Sequence, residues 1–316
     1  MKNLPKVVVL GGGTGLSRLL SGLKHFPLDI TAIVTVADDG GSTGKLRREF
    51  SIPAIGDLRN VLVSLSNVEP LVQQLLQYRF KTNSDLNGHP TGNLLLTAML
   101  DITGNLVDAV DSLGKVFNVK GTILPSTEEQ VTLVAHMTDG TIVEGESNIA
   151  KARKKIDYIS YKKEPKTVGR AIDAIMEADV IILGIGSLYT SIIPTFIATD
   201  MKKALLSSRA HKMYVCNVMT EPGETDGYTV KDFIDALYKH MGAPFLDSVV
   251  VNIGPIPPKI LKKYQKEGSN VVVITKELEG MPIEIIKGDF IEIEEDGYIR
   301  HNPLKLAATI YTHIIG

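Results

Sequence analysis

Two glycine-rich turns and the carboxylates near them are the residues of this sequence whose types and spacing could do chemistry. The first turn is Gly11, Gly12, Gly13, Thr14 and Gly15, which ends the short apolar run 7–10. Leu16, Leu19, Leu20 and Leu23 then recur at helical spacing, so the segment reads as strand, turn and amphipathic helix. The first amides of such a helix lack partners and carry its positive dipole end, a natural seat for a phosphate. The alternative is a turn that binds nothing. Three successive glycines cost more backbone entropy than a turn needs, which favours a ligand. Leu16 stands where a dinucleotide fingerprint has its third glycine, so an NAD(P) protein is possible and not indicated.

The apolar run 180–183 repeats the arrangement and ends in Gly184 and Gly186. Pro194 disfavours a helix starting much before Ser191. The loop 186–190, with Ser187, Leu188 and Thr190, is therefore expected to be free to wrap an anion. After the second apolar run come Asp38 and Asp39 in "DDGGSTG". Leu46 replaces the Ser/Thr of a phosphate-binding P-loop, and Asp39 sits at its first glycine. The two carboxylates either hold Mg²⁺ together with phosphate oxygens or cap a turn and face water. Asn217, Glu221, Glu224, Thr225 and Asp226 cluster after another buried strand.

Positioning these groups requires a parallel sheet, with ligands at the carboxyl ends of its strands. Residues 51–118 read as mostly helical: Asp57 is expected as an N-cap, and Asn60 lies in the same first turn. Asn93 either caps the next helix or faces a ligand, and His89 in its glycine-rich loop is hard to explain as core packing. Asp139-Gly140 between two apolar segments signals a hairpin, expected as an insertion on the sheet's edge and as a partner-contact region without chemistry. Residues 271–274 read as the last parallel strand, and 283–286 and 291–293 as paired edge strands. The expected fold class is α/β: a Rossmann-like, mainly parallel sheet flanked by helices, in one domain spanning 1–316. A helical insertion at about 45–118 and a hairpin insertion at about 121–160 complete it.

The chain has 316 residues, 44% hydrophobic and 22% charged, with a formal charge of −2. That balance argues against broad electrostatic binding to nucleic acid or anionic membrane. A single cysteine excludes an intramolecular disulfide and a multi-cysteine metal site, and it suits a reducing cytosol. No apolar run is long enough for a membrane span, and no signal peptide is legible, so a cytoplasmic location is expected. Oligomeric state and protein partners are not legible.

The motifs "GGGTG", "DDGGSTG", "GDLRN", "GHPTGN", "GIGSLYTS" and "NVMTEPGET", in this order between residues 11 and 225, closely resemble the 2-phospho-L-lactate transferase-like superfamily. Within it they are similar to the YvcK-type gluconeogenesis factors of bacteria. Ile185 departs from the proline of many relatives, a minor change between the turning glycines. The resemblance implies a regulatory protein that binds UDP-N-acetylglucosamine, has no established reaction and requires no cofactor. It also implies support of growth on gluconeogenic carbon, cell shape and cell-wall synthesis. The transferase branch would instead join a phospholactyl group to a deazaflavin alcohol with a guanosine diphosphate donor and Mg²⁺. Carried over by motif, Asp38 or Asp39 and Asp57 form the metal side if the transferase reading holds. Residues 12–15 and 186–190 form the phosphate side, and Asn217 and Glu224 lie near the nucleoside or sugar. Neither glycine turn supplies a stacking face or a bidentate cation. Tyr264 and Arg300, near the C-terminus, are either packing residue and surface cation or the completion of the site.

Overall fold

The computed structural model describes residues 4–316. Strands β1 (Lys6–Gly11), β2 (Asp29–Val34) and β3 (Thr122–Pro125) form one half of the main sheet. Two small strands, β4 (Leu133–Met137) and β5 (Ile142–Glu144), are followed by β6 (Ile156–Tyr161). The other half of the main sheet is β7 (Val180–Leu183), β8 (His211–Val215), β9 (Ser248–Asn252) and β10 (Glu284–Gly288). A hairpin of β11 (Ile291–Ile293) and β12 (Ile299–His301) precedes the closing helix Pro303–Ile315. The main sheet runs β10-β9-β8-β7-β1-β2-β3, and all its pairs are parallel. Its central strands are continuous apolar runs because helices cover both faces. The chain builds outward from β1 in one direction, then returns to β7 on β1's other side. The topological switch point therefore lies between β1 and β7, where open α/β sheets bind ligands.

Helix α1 (Gly13–Leu23) buries the predicted Leu16, Leu19, Leu20 and Leu23. Between β2 and β3 lie α2 (Gly41–Phe50), α3 (Gly56–Leu65), α4 (Pro70–Gln77), α5 (Thr91–Thr103) and α6 (Leu106–Val116). The helical insertion thus begins a turn earlier than the sequence suggests. Asp57 is not the N-cap of α3. Ile55 holds that place and Asp57 lies inside the first turn.

Three expectations change. The Asp139-Gly140 hairpin forms as read, but β5-β4-β6 make a separate antiparallel sheet instead of extending the main one. β6 rests on the helix Val230–Met241, where the Ile159 N–H donates to His240 Nε2 at 2.8 Å. Residues 271–274 are not a parallel strand. Their backbone bonds go to loops and a helix start, from Val272 N–H to the Val218 carbonyl and from Val230 N–H to the Val273 carbonyl. The edge position falls to β10, whose register pairs Ile285 with Val249 and Ile286 with Val250. β11 accordingly pairs with β12, not with the 283–286 segment. Val218, Tyr264, Ile291 and Ile299 form a small second core beneath that hairpin.

Candidate functional site

A cavity of about 440 Å³ opens over the carboxyl ends of the central strands, with Gly13, Gly15, Gly186, Ser187, Asn217 and Arg300 among its walls. Thr14, Glu221 and Tyr264 line it too. The β1–α1 turn suits an anion: α1 has no side-chain cap and no acidic residue in its first turn, and its start carries the positive dipole end, although the Gly13 amide is already engaged by the Asp57 carboxyl. Gly13 has φ +66°, a conformation that costs other residues roughly 1–2 kcal/mol. Gly13→Val would therefore test backbone strain together with ligand contact. Opposite, the Gly184 N–H donates to the Leu10 carbonyl at 2.8 Å, locking the two turns side by side.

The second turn is shorter than expected. Leu188 and Thr190 do not face the cavity. They belong to a wide helical turn, Leu188–Ile192, and both are buried. The Ile192 N–H reaches the Ser187 carbonyl at 3.0 Å, an i→i+5 bond. Pro194 falls in the first turn of the following 3-10 segment, where its missing N–H costs nothing. The open loop ends at Ser187.

Thr190 Oγ1 instead donates to Glu224 Oε1 at 3.1 Å. Thr225 is also turned inward, its hydroxyl accepting from the Glu221 N–H at 2.9 Å. Asn217 Nδ2 donates to the Gly186 carbonyl at 3.0 Å, tying the β8 loop to the second glycine turn. Asn217 Oδ1 and Glu224 Oε2 are buried without partners. Such atoms normally find one, and Asn217 has the cavity beside it.

Burial, then the neighbouring Glu221, pushes the Glu224 carboxyl up to about 8. Its folded pKa lies above the unfolded value, so stability is lost as pH rises through the folded pKa. Burial depresses His240 and His301 to about 4. These act oppositely, and their contribution is lost as pH falls below about 6.5. Above about pH 6.5, where both histidines are neutral folded or unfolded, unfolding free energy should fall by on the order of 1–2 kcal/mol as pH rises toward the folded pKa of Glu224 near 8. Glu224→Gln should flatten that alkaline limb in urea titrations. An unchanged slope would assign the loss elsewhere.

Asp38, Asp39, Asp57, Asn60, His89 and Asn93 are outside the cavity walls and form a neighbouring polar region. It meets the site at Gly12, where an added Cβ would stand 2.6 Å from Asp57 Oδ2. Asp38 Oδ1 accepts the Gly40 N–H at 2.8 Å, and Asp39 Oδ1 accepts the Ser147 N–H at 2.9 Å. Burial raises Asp57 to about 6, against the opposing pull of the Gly13 amide, Asn60 and Arg59. Glu146 was missed in the sequence. It follows β5 and is pushed up to about 7 by burial and by Asp38, Asp39 and Asp57. The hairpin insertion therefore does contribute a charged group to this region. Among the described residues, no group of three or more His, Cys, Asp or Glu could hold a metal ion. Mg²⁺ here would depend on phosphate oxygens and water.

Asn93 is not a cap. It is buried inside the first turn of α5, accepting from Arg59 Nε at 3.2 Å and donating to Ser42 Oγ at 3.2 Å. Ser42 Oγ in turn pairs with His89 Nδ1 at 2.8 Å. The His89 loop is thus explained by a polar network among α2, α3 and α5. Glu146 and Ser42 had no local sequence signal, because only tertiary structure brings them here.

The sheet order and the twin glycine turns at its switch point define a Rossmann-like α/β protein. The chain belongs to the 2-phospho-L-lactate transferase CofD family, whose profile matches residues 7–291. It is 47% identical over 312 residues to the gluconeogenesis factor of Bacillus subtilis (strain 168), covering 98% of each chain. It is also 47% identical over 306 residues to the gluconeogenesis factor of Halalkalibacterium halodurans, covering 96% of this chain and 95% of that one. A crystal structure of a Bacillus halodurans protein of the upf0052 family superposes with a TM-score of 0.94 at 47% identity, covering 97% of this chain and 99% of that one. Among the described residues, no helix is long and apolar enough to cross a membrane.

Proposed function

We propose that this chain is a cytoplasmic regulatory factor that binds UDP-N-acetylglucosamine in the crevice between its two glycine turns. In this reading it supports growth on gluconeogenic carbon, cell shape and cell-wall synthesis. The observation that carries the ligand class is one cavity walled by the start of α1, two arginines and two tyrosines. A diphosphate needs the first two, and a base or sugar ring needs an aromatic wall. The names of the relatives support the role in growth on gluconeogenic carbon. Ser187 is tied into the cavity wall by its side-chain hydrogen bond with Glu221, and the single cysteine offers no reactive thiol. Cys216 is buried, and burial pushes its thiol up to about 12.

The second reading is a Mg²⁺-dependent transferase using a nucleotide diphosphate donor. Asp57 beside Gly12, with Glu146 in the same acidic region, favours it, because carboxylates next to a phosphate seat suit a bridging metal. Calorimetry with UDP-N-acetylglucosamine, GDP and NAD(P), each with Mg²⁺ or with EDTA, separates the readings. Binding of the UDP-sugar in EDTA is the expected result. Strict metal dependence, lost in Asp57→Asn, would favour the transferase, and preference for NAD(P) would overturn both. The physiological part predicts that this chain restores gluconeogenic growth to a Bacillus subtilis strain lacking its own factor.

A further inference from the structure

Arg18 was not singled out in the sequence, yet it lines the cavity together with Arg300 and the start of α1. It stands one turn beyond Gly15, on the same helix whose first amides face the crevice. Its Nη1 meets Glu292 Oε1 at 2.6 Å, and its Nη2 meets Glu294 Oε1. The other oxygen of Glu294 lies 3.7 Å from Arg300 Nε. One carboxylate therefore bridges two guanidinium groups that come from different elements of the chain. A bound diphosphate oxygen would make the same bridge.

The two glutamates are not equivalent. Glu292 sits within β11, opposite Arg300 of β12, and its Oε2 also accepts from Asn302 Nδ2 at 2.8 Å. That makes it a buckle between α1 and the hairpin. Glu294 lies at the hairpin turn, where its backbone N–H bonds the Tyr298 carbonyl at 2.9 Å. Its carboxylate has the two arginines as partners, and it is not among the residues that wall the cavity. Arg18 and Arg300 do face the cavity, so Glu294 draws both heads toward the rim.

We propose that Arg18 and Arg300 form a diphosphate subsite and that Glu294 is its internal competitor, occupying both guanidinium groups until an anion displaces it. Only the identity of the ligand rests on the nucleotide-sugar reading; the subsite itself requires any diphosphate. Glu292 keeps the hairpin attached to α1 during the exchange. The competing carboxylate also discriminates, because a monophosphate gains fewer contacts than a diphosphate against the same displaced pair.

Inorganic pyrophosphate is the probe that needs no nucleoside. Its dissociation constant, and that of UDP-N-acetylglucosamine, would be measured on wild type, Glu294→Gln, Arg18→Gln and Arg18→Lys. Glu294→Gln keeps the side chain's shape, and it should tighten pyrophosphate binding by about three- to tenfold. It should also narrow the preference for pyrophosphate over orthophosphate. Arg18→Gln should weaken pyrophosphate by about tenfold or more, with Arg18→Lys between. Equal or weaker binding in Glu294→Gln would overturn the competitor role, as would no pyrophosphate binding in any variant. Unchanged binding in Arg18→Gln would remove Arg18 from the subsite. Pyrophosphate responding as expected while UDP-N-acetylglucosamine fails to bind would sink the nucleotide-sugar reading alone. UDP-N-acetylglucosamine binding that ignores both positions would sink this proposal alone.

Discussion

Arg300→Ala is expected to weaken UDP-N-acetylglucosamine binding by about 1.5–3 kcal/mol, the range for hydrogen bonds to a charged group. The same substitution should change the stability of the free protein by less than about 1 kcal/mol. The asymmetry follows from what Arg300 touches. Its side chain is 40% exposed, and its ion pair with Glu294 is long, at 3.7 Å. Its one good hydrogen bond goes to the carbonyl of the preceding residue, Ile299, at 3.0 Å. The guanidinium also lies 5.6 Å from the Tyr298 ring centroid. None of these contacts is worth much in water, so a phosphate that displaces Glu294 gains more from Arg300 than the free protein loses without it.

Tyr264 behaves differently, although the sequence reading grouped the two. It is 7% exposed and sits in the small core under the hairpin. Its hydroxyl accepts the Ile299 N–H at 2.8 Å, and its ring meets Tyr298 edge-on at 5.7 Å. Tyr264→Ala should therefore lower stability and affinity together, by loosening the hairpin that carries Arg300. Titration calorimetry with parallel urea melts checks both substitutions. Wild-type affinity in Arg300→Ala, or a stability loss as large as its affinity loss, would move the residue from the site into the fold.

Local sequence carried the strand-turn-helix units because each is written in contiguous residues. The apolar run before Gly11 and the leucines after it specify strand, turn and buried helix face without reference to the rest of the chain. The same holds for the run ending at Gly184. What followed Gly186 was misread through an α-helical rule for Pro194, when the chain makes an i→i+5 turn that the rule does not govern. β10 was misassigned because the run 271–274 is more β-branched than 284–288. Strand membership was settled by which segment could reach the free edge of β9. Glu146 reaches the acidic region only through the three-stranded sheet, and Arg18 reaches Arg300 only through the hairpin. Spacing cannot express either meeting, since each joins residues more than about eighty positions apart.

The second large effect concerns the place where the two glycine turns touch. A Cβ added to Gly15 would stand 2.6 Å from the Ile185 carbonyl oxygen and 2.7 Å from its carbon. Both are backbone atoms, so no rotamer change relieves the contact. Gly15 lies within α1, where alanine would otherwise be favoured by up to about 1 kcal/mol. Overpacking of this kind costs about 1–3 kcal/mol, so a net loss of roughly 1–2 kcal/mol is expected for Gly15→Ala. Relief requires the β1–α1 turn and the β7 turn to move apart, and those turns are the two walls that would hold the diphosphate. Affinity for UDP-N-acetylglucosamine should therefore fall by more than about tenfold, because sub-ångström misplacement disrupts convergent hydrogen bonds. Gly114→Ala is the matched control. Gly114 lies in α6, and a Cβ there would meet only Val119 at an ordinary 3.8 Å. That variant should gain up to about 1 kcal/mol and bind as wild type does. Thermal melts and calorimetry on the two variants decide the matter. A Gly15→Ala protein as stable and as tight-binding as the Gly114→Ala control would show that the turns do not need their present separation.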